Sequence, residues 1–398
     1  MSKNEKNNLL IKHKQNLGQY FTTNKELKSK VYEFIKNEPL IILEPSIGQG
    51  DLVEYVLEKT EKVEFDMYEI DKNINMLDRI QKDKINFGDF MEKKINKKYK
   101  TIIGNPPFVR TKKGNLYIDF TQKCYNLLEE DGELVFIVPS DFLKLTCASK
   151  LLDKMMNDGT FTHIYHPNNE KMFEGASIDV IVFRYYKNKK ALKTVLYNEK
   201  KQYIINNNGL ITFSDKLPEK DNKLFKDYFD IYVGMVSAKE EIYKNEKLGN
   251  ITLLTGKNKY EKYIFPETYP TKNEEINKYL LENKTILINR KIRKFDENNW
   301  YEWGAPRNIS AIKENMGREC IYLYNLTRKQ EVSFKGNVNY FGGGFIMLIP
   351  KDEYNLNLDK IVKYMNMDVF KKNFIFSGRF KIGHRQISNM YIDDNYII

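Results

Sequence analysis

Between Leu40 and Tyr186, short runs rich in β-branched and aromatic residues alternate with stretches whose apolar positions recur at helical spacing. The runs "LIILE" (40–44), "EFDMYEI" (64–70), "KINF" (84–87), "YKTIIG" (99–104), "ELVFIVP" (133–139), "FTHIYH" (161–166) and "IDVIVFRYY" (178–186) are predicted strands. Residues 50–60, 72–81, 116–130 and 141–157 are predicted helices. This rhythm predicts an α/β, doubly wound, seven-stranded sheet with crossover helices, in which ligands bind beyond the carboxyl ends of the strands.

After Tyr186 the pattern changes. "KKQYIINNNGLITFSDKLPEKDNK" is polar and turn-rich, which places a domain boundary near residue 220 and predicts domains 1–220 and 221–398. The second stretch mixes predicted strands ("KTILINR", "GFIMLIP") with predicted helices ("NEEINKYLLEN", "NLDKIVKYMNM") and reads as an α+β domain.

Charge and composition narrow the partners. The chain has 398 residues, a net charge of +11 and a pI near 9.1, which suits a polyanion. Lys, Asn, Ile and Tyr are all abundant, as a nucleotide-biased genome alone would produce, so charge by itself does not decide for nucleic acid. Cys124, Cys147 and Cys320 lie far apart without CxxC spacing, which predicts buried free thiols and neither a disulfide framework nor a zinc site. His163 and His166 fall in a strand and its turn with no carboxylate at ligand spacing, so no metal is expected. The N-terminal residues lack the apolar run of a signal peptide, and no stretch has the length of a membrane span. A cytoplasmic protein is the expectation.

The candidate chemistry sits at strand ends. "LEPSIGQGDLV" places Glu44 at the end of the first strand and Gly48 and Gly50 in the turn to a helix, where backbone can approach a ligand closely. A dinucleotide fingerprint would require glycine at 53, where Val53 stands, so a cofactor without a pyrophosphate is favoured. Glu69 ends the second strand at the distance where an acid accepts ribose hydroxyls, and Asp89 and Phe90 follow the third. Any one of these carboxylates alone is an ordinary helix cap, and Asp71 is read as one. Three at successive strand ends describe a pocket for an adenosine with a positively charged tail. The fourth strand leads into Asn105, Pro106, Pro107 and Phe108. The prolines fix φ and lack N–H groups, which leaves a stiff set of carbonyl acceptors beside a flat ring.

Taken in order, "LGQYFTT", "LEPSIGQGDLV", "MYEID", "NFGDFM", "IIGNPPF", "ELVFIVPSDFL" and "MFEGASIDVIVFRY" resemble the successive motifs of gamma-class N6-adenine DNA methyltransferases, the TaqI-type enzymes of restriction-modification systems. Looser similarity to their target-recognition domain continues through "FKDYFDIYVGMVSAKEEIY", "LLTGKN", "KTILINR" and "FSGRFKIGHRQISNM". The resemblance implies a Rossmann-like methyltransferase fold with a mixed sheet, and S-adenosylmethionine as cofactor. It implies that Phe21 and Thr22 reach the methionine end, and that Glu44, Pro45, Ser46, Gly48 and Gly50 line the methionine moiety. Glu69 would hold the ribose, and Ile70, Asp89 and Phe90 the adenine. Ile47 and Gln49 depart from the smaller residues common in the glycine turn, and Phe108 stands where Tyr is also common.

The NPPF loop then acquires a mechanism. If the Asn105 side-chain oxygen and the Pro106 carbonyl accept the two N–H bonds of an exocyclic amine, its lone pair is freed for in-line attack on a sulfonium methyl. No base is needed beforehand, because alkylation itself makes the nitrogen acidic. The adenine must leave the duplex, with Phe108 as one stacking face and, by resemblance, Phe173 as the other. Arg110, Lys112 and Lys113 beside the loop, and Arg290, Lys291, Arg293, Arg379, Lys381, His384 and Arg385 in the second domain, are candidate DNA contacts. The expected partners are double-stranded DNA and a cognate restriction endonuclease acting on the same site, with the chain itself a monomer. The open alternatives are an RNA adenine methyltransferase, a protein-glutamine methyltransferase and a catalytically silent DNA-binding module.

Overall fold

The computed structural model describes residues 20–60, 62–111, 114–219, 222–392 and 394–396. They form two compact units, one ending at Leu217 and the other beginning at Pro218.

The first unit is built on one sheet. Its strands are β1 (Ile41–Glu44), β2 (Glu64–Glu69), β3 (Ile85–Phe87), β4 (Tyr99–Gly104), β7 (Leu128–Pro139), β8 (Thr160–Tyr165), β9 (Val180–Tyr186), β10 (Thr194–Tyr197), β11 (Lys200–Asn207) and β12 (Leu210–Ser214). A separate two-stranded hairpin, β5 (Arg110–Thr111) with β6 (Gly114–Asn115), follows β4. The sheet order is β12-β11-β10-β8-β9-β7-β4-β1-β2-β3. β1 pairs in parallel with both β2 and β4, β4 with β7, and β9 lies antiparallel between β7 and β8, so the sheet is mixed.

All seven strands expected from the sequence are present, but the sheet has ten. The expectation stopped at Tyr186 because β11 is polar overall. Only Gln202 and Ile204 of that strand are fully buried, at period two, as suits an edge hairpin with one wet face. Asn208 and Gly209, at φ 52° and 71°, form the two-residue turn between β11 and β12, the Asn-Gly pairing that such hairpins favour.

The central strands are buried on both faces, and alternate residues serve opposite layers. Ile42, Ile103, Val135 and Ile137 pack with α1 (Lys25–Phe34). Ile102, Leu134 and Phe136 pack with α3 (Leu116–Leu127) and α4 (Ser149–Asp158), while α2 (Asp51–Leu57) follows the glycine turn. Asn24 caps α1, its side-chain oxygen accepting from Glu26 N and Leu27 N at 2.9 and 3.2 Å.

One expected helix is absent: residues 72–81 form turns. Leu77 N donates to Gln49 O at 3.0 Å, across to the glycine turn, where a helix would have used its own carbonyl four residues back. Asp71 is correspondingly no helix cap; its Oδ1 accepts from Asn73 N in a local Asx turn.

The second unit holds a four-stranded antiparallel sheet of Phe229–Val233, Phe345–Pro350, Glu319–Tyr324 and Ser333–Asn337, in that order. Tyr322, Met347 and Ile349 face a core around Trp303, and Ile321, Leu323, Ile346 and Leu348 face one around Phe370. The helices Glu274–Glu282 and Leu358–Met365 and the strand Phe345–Pro350 lie where the pattern predicts them. "KTILINR", expected as a strand, is instead the helix Lys284–Ile288, in which Leu287 alone is buried. Cys124 and Cys320 are buried, whereas Cys147 is exposed. No helix among the described residues is long and apolar enough to cross a membrane.

Candidate active site

The sheet order decides where the site lies. The chain runs outward from β1 through β2 and β3, then returns to the other side of β1 as β4. That reversal opens a crevice beyond the carboxyl ends of β1 and β4, which deliver Glu44-Pro45 and Asn105-Pro106. A cavity of about 350 Å³ occupies it.

Pro45, Ser46 and Gly48 from the β1 turn line this cavity, as do Glu69 and Ile70 from β2, and Asp89 and Phe90 beyond β3. Phe21, Asn105 and Pro107 complete the predicted residues on its wall. Glu69 is buried, and its two oxygens accept from Gly48 N and Asp71 N, each at 2.9 Å. Burial raises its pKa, opposed by those backbone bonds. Glu44 lies behind the wall with Oε1 accepting from Ser46 N at 3.0 Å. Its carboxyl is pushed up to about 8 by burial, with the Ser46 bond opposing and the nearby Glu69 charge adding.

Asn105 carries the most informative geometry. Its Nδ2 donates to Tyr20 O at 2.7 Å and to Thr22 Oγ1 at 3.1 Å, so both amide protons are used and the orientation of the group is set. Its Oδ1 is buried with no hydrogen-bond partner among the described residues. Such an orphan acceptor costs about 1–3 kcal/mol. A group of this kind at a cavity wall calls for an explanation, and a ligand or a catalytic role is one. The Thr22 assignment changes accordingly: Thr22 is buried and orients Asn105.

Three further expectations are corrected. Gly50 is not on the cavity wall. It opens α2 at φ 101°, and a Cβ there would lie 2.4 Å from Ile80 Cγ1, so its need is conformational and steric. Phe108 and Phe173 do not form a parallel slot, because their rings meet edge to face, centroids 6.0 Å apart and planes at 78°. Arg290 is buried and donates to the carbonyls of Leu287, Ser237, Trp300 and Glu302, which makes it a scaffold residue and no DNA contact.

The other cations are more accessible. Arg110 is exposed on β5, and Lys112 and Lys113 lie outside the described residues. Lys291 is exposed, while Arg293 pairs with Glu302 and donates to Trp303 O at 3.0 Å. Lys381 and His384 are exposed, the latter with Nε2 2.9 Å from Ile231 O, and Arg379 and Arg385 are half-buried.

Sequence reading missed several wall residues. Leu116 and Phe120 of α3 face the cavity, and their i, i+4 spacing is a signal that could have been used. Phe120 stacks on Phe90 at 5.4 Å. Lys123, one turn further on, lies 4.6 Å from the Phe90 ring centroid and donates to the carbonyls of Phe90, Met91 and Lys93, holding the loop after β3. Tyr20 was missed as well, although it precedes two residues that were singled out.

Residues 5–173 match the family model described as Eco57I restriction-modification methylase. The Type II methyltransferase M.HincII of Haemophilus influenzae is 32% identical over 199 residues, covering 44% of this chain and 38% of that protein. Modification methylase CviBIII of Paramecium bursaria Chlorella virus NC1A is 32% identical over 152 residues, covering 33% of this chain and 40% of its own. The matches thus span about two-fifths of the length of these relatives. Among solved structures, the Type IIL restriction-modification enzyme MmeI in complex with DNA shares the fold over 96% of this chain and 67% of its own, with a TM-score of 0.59 at 12% identity. The segment 5–173, which supplies every wall residue of the cavity, is thus similar to the restriction-modification methylases.

Proposed function

We propose that this chain is a site-specific DNA adenine N6-methyltransferase that uses S-adenosylmethionine and acts on a flipped-out adenine in double-stranded DNA. The observation that carries the reading is the buried, unpartnered Oδ1 of Asn105 at the end of β4, held in place from behind by Tyr20 and Thr22. An acceptor fixed in this way is suited to an incoming N–H donor such as an exocyclic amine.

The cavity residues fit the cofactor. Glu69 retains lone pairs for ribose hydroxyls, Phe90 offers a flat apolar wall for adenine, and Pro45, Ser46 and Gly48 border the stretch leading to Asn105. When bound there, S-adenosylmethionine supplies an electrophilic methyl on a sulfonium. Asn105 Oδ1 and the Pro106 carbonyl would each accept a hydrogen bond from one N–H of the adenine amine and so orient its lone pair toward that methyl. The stiff prolines keep both acceptors aligned without reorganisation. Transfer of the methyl from that sulfonium to the amine would make the nitrogen acidic, so the loop would need no general base and the excess proton could leave to solvent. Phe108 provides the stacking platform, which at about 1–3 kcal/mol per base offsets much of the few kcal/mol that extrusion costs.

Residues from Pro218 on are read as the target-recognition domain. The supporting facts are the basic side chains exposed there and a fold shared, across most of the chain, with an enzyme solved in complex with DNA. A restriction endonuclease acting on the same site fits the restriction-modification relatives.

Incubation of defined duplex DNA with methyl-labelled cofactor, followed by mapping at single-nucleotide resolution, tests the reading. The expected result is N6-methyladenine within one short sequence. Label on RNA, on protein or on cytosine, with none on DNA adenine, would overturn it.

A further inference from the structure

Of the rings that surround Phe108, one lies flat against it. Tyr20 stacks with its centroid 5.8 Å away and its plane inclined by 27°. Tyr117 and Phe173 meet Phe108 at 84° and 78°, edge to face. Tyr20 also touches Phe173 at 6.0 Å and lines the cavity beside Asn105 and Pro107. Its own carbonyl accepts from Asn105 Nδ2 at 2.7 Å. Side chain and main chain of one residue therefore engage both parts of the NPPF loop, the stacking ring and the amide.

We propose that Tyr20 is a placeholder for the target base: its ring covers the stacking face of Phe108 in the free protein and rotates away when adenine enters, while its carbonyl stays on Asn105. This rests on the methyltransferase reading above and deepens it. An offset, tilted ring against Phe108 takes part of the face on which a purine would stack, so the two compete for it. Rotation about the side-chain torsions of Tyr20 clears that face without moving the main-chain bond that orients Asn105. The acceptor is thus aligned before the base arrives, and the apolar platform stays covered until it does. Tyr20 is on this view a positioning residue. It sets how readily a base is captured and leaves the transfer step to Asn105.

The test uses full-length protein and duplex DNA carrying 2-aminopurine at the adenine mapped as the methylation target. Tyr20→Ala removes the competitor, and the fluorescence-reported flipped fraction should rise, with apparent affinity for this DNA about 2- to 10-fold tighter, the range of one aromatic pair. Tyr20→Phe, which keeps the ring, should behave as the wild type. If Tyr20→Ala leaves the flipped fraction unchanged or lowers it while wild-type protein methylates adenine, the placeholder is refuted and the function stands. If the wild type methylates no DNA adenine, the function falls and the placeholder with it. Should Tyr20→Ala melt early, Tyr20→Leu keeps bulk without a flat face and is held to the same outcomes.

Discussion

Asn105 and Arg290 are both polar, both buried or nearly so, and both sit in motifs that invite a functional reading, yet their surroundings differ in kind. Arg290 has its guanidinium engaged by four backbone carbonyls of its own unit. Asn105 has its amide protons satisfied and its oxygen left over. The paired atoms of Arg290 hold its unit together, whereas the unpaired oxygen of Asn105 lies at a cavity wall, where a ligand could satisfy it. Charge and burial alone cannot separate the two. The hydrogen-bond inventory does.

The widest separation between the two residues should appear in kinetics. Asn105→Ala removes the acceptor and is expected to lower kcat by about 10²–10³-fold, as the loss of one preorganised transition-state hydrogen bond does elsewhere. Cofactor affinity, measured by calorimetry, should change little, and a fall in affinity as large as the fall in kcat would break the contrast. Arg290→Met should do the reverse: about 3 kcal/mol of stability is lost in urea unfolding as buried carbonyls lose their donor, while the salt slope of DNA binding is unaltered. A changed slope with unchanged stability would restore Arg290 as a DNA contact.

Glu44 gives a smaller, pH-dependent effect. Its folded pKa of about 8 lies above the ordinary 4.5, so the folded state holds a proton that the unfolded chain has released. Its contribution is complete below about pH 4.5 and is lost as pH rises to about 8. Thermal melts of Glu44→Gln should be flatter than wild type across that window, and identical pH profiles would remove Glu44 from the account. The smallest effect belongs to Arg110, exposed on β5. Arg110→Gln should lower the slope of log affinity against log salt by about one and leave stability intact. An unchanged slope would count Arg110 as a solvated surface cation, like most exposed lysines of the chain.

How far the molecule could be read in advance varied with the kind of interaction. β1 to β4, β7, β8 and β9 were legible because each is a short apolar run between turn signals, buried on one or both faces. β10 and β11 escaped notice because each buries few residues, and β12, though buried from Leu210 to Phe213, because its short run lies in a polar, turn-rich stretch, although Asn208-Gly209 marked the turn. Residues 72–81 and "KTILINR" were misread for a related reason: short mixed segments take the conformation their neighbours impose. In the site, Glu69, Gly48 and Asn105 were legible as residue types that chemistry requires at strand ends. Tyr20 and Phe120 on the wall, and Lys123 behind the loop after β3, were not, since nothing in their types separates them from an ordinary aromatic or lysine.

The strand rhythm, the acids and the NPPF loop at strand ends, and the absence of ionisable groups within that loop follow from residue order alone, because local pattern and residue chemistry suffice for these. It took the folded chain to show that β1 and β4, more than fifty residues apart in sequence, lie side by side so that their ends share one crevice. The folded chain likewise decided which oxygen of the site is left unpaired, that Tyr20 lies flat on Phe108, and that Arg290 is spoken for. Pairing of polar atoms and contact of rings are properties of neighbours in space, and distance along the chain carries almost none of that information.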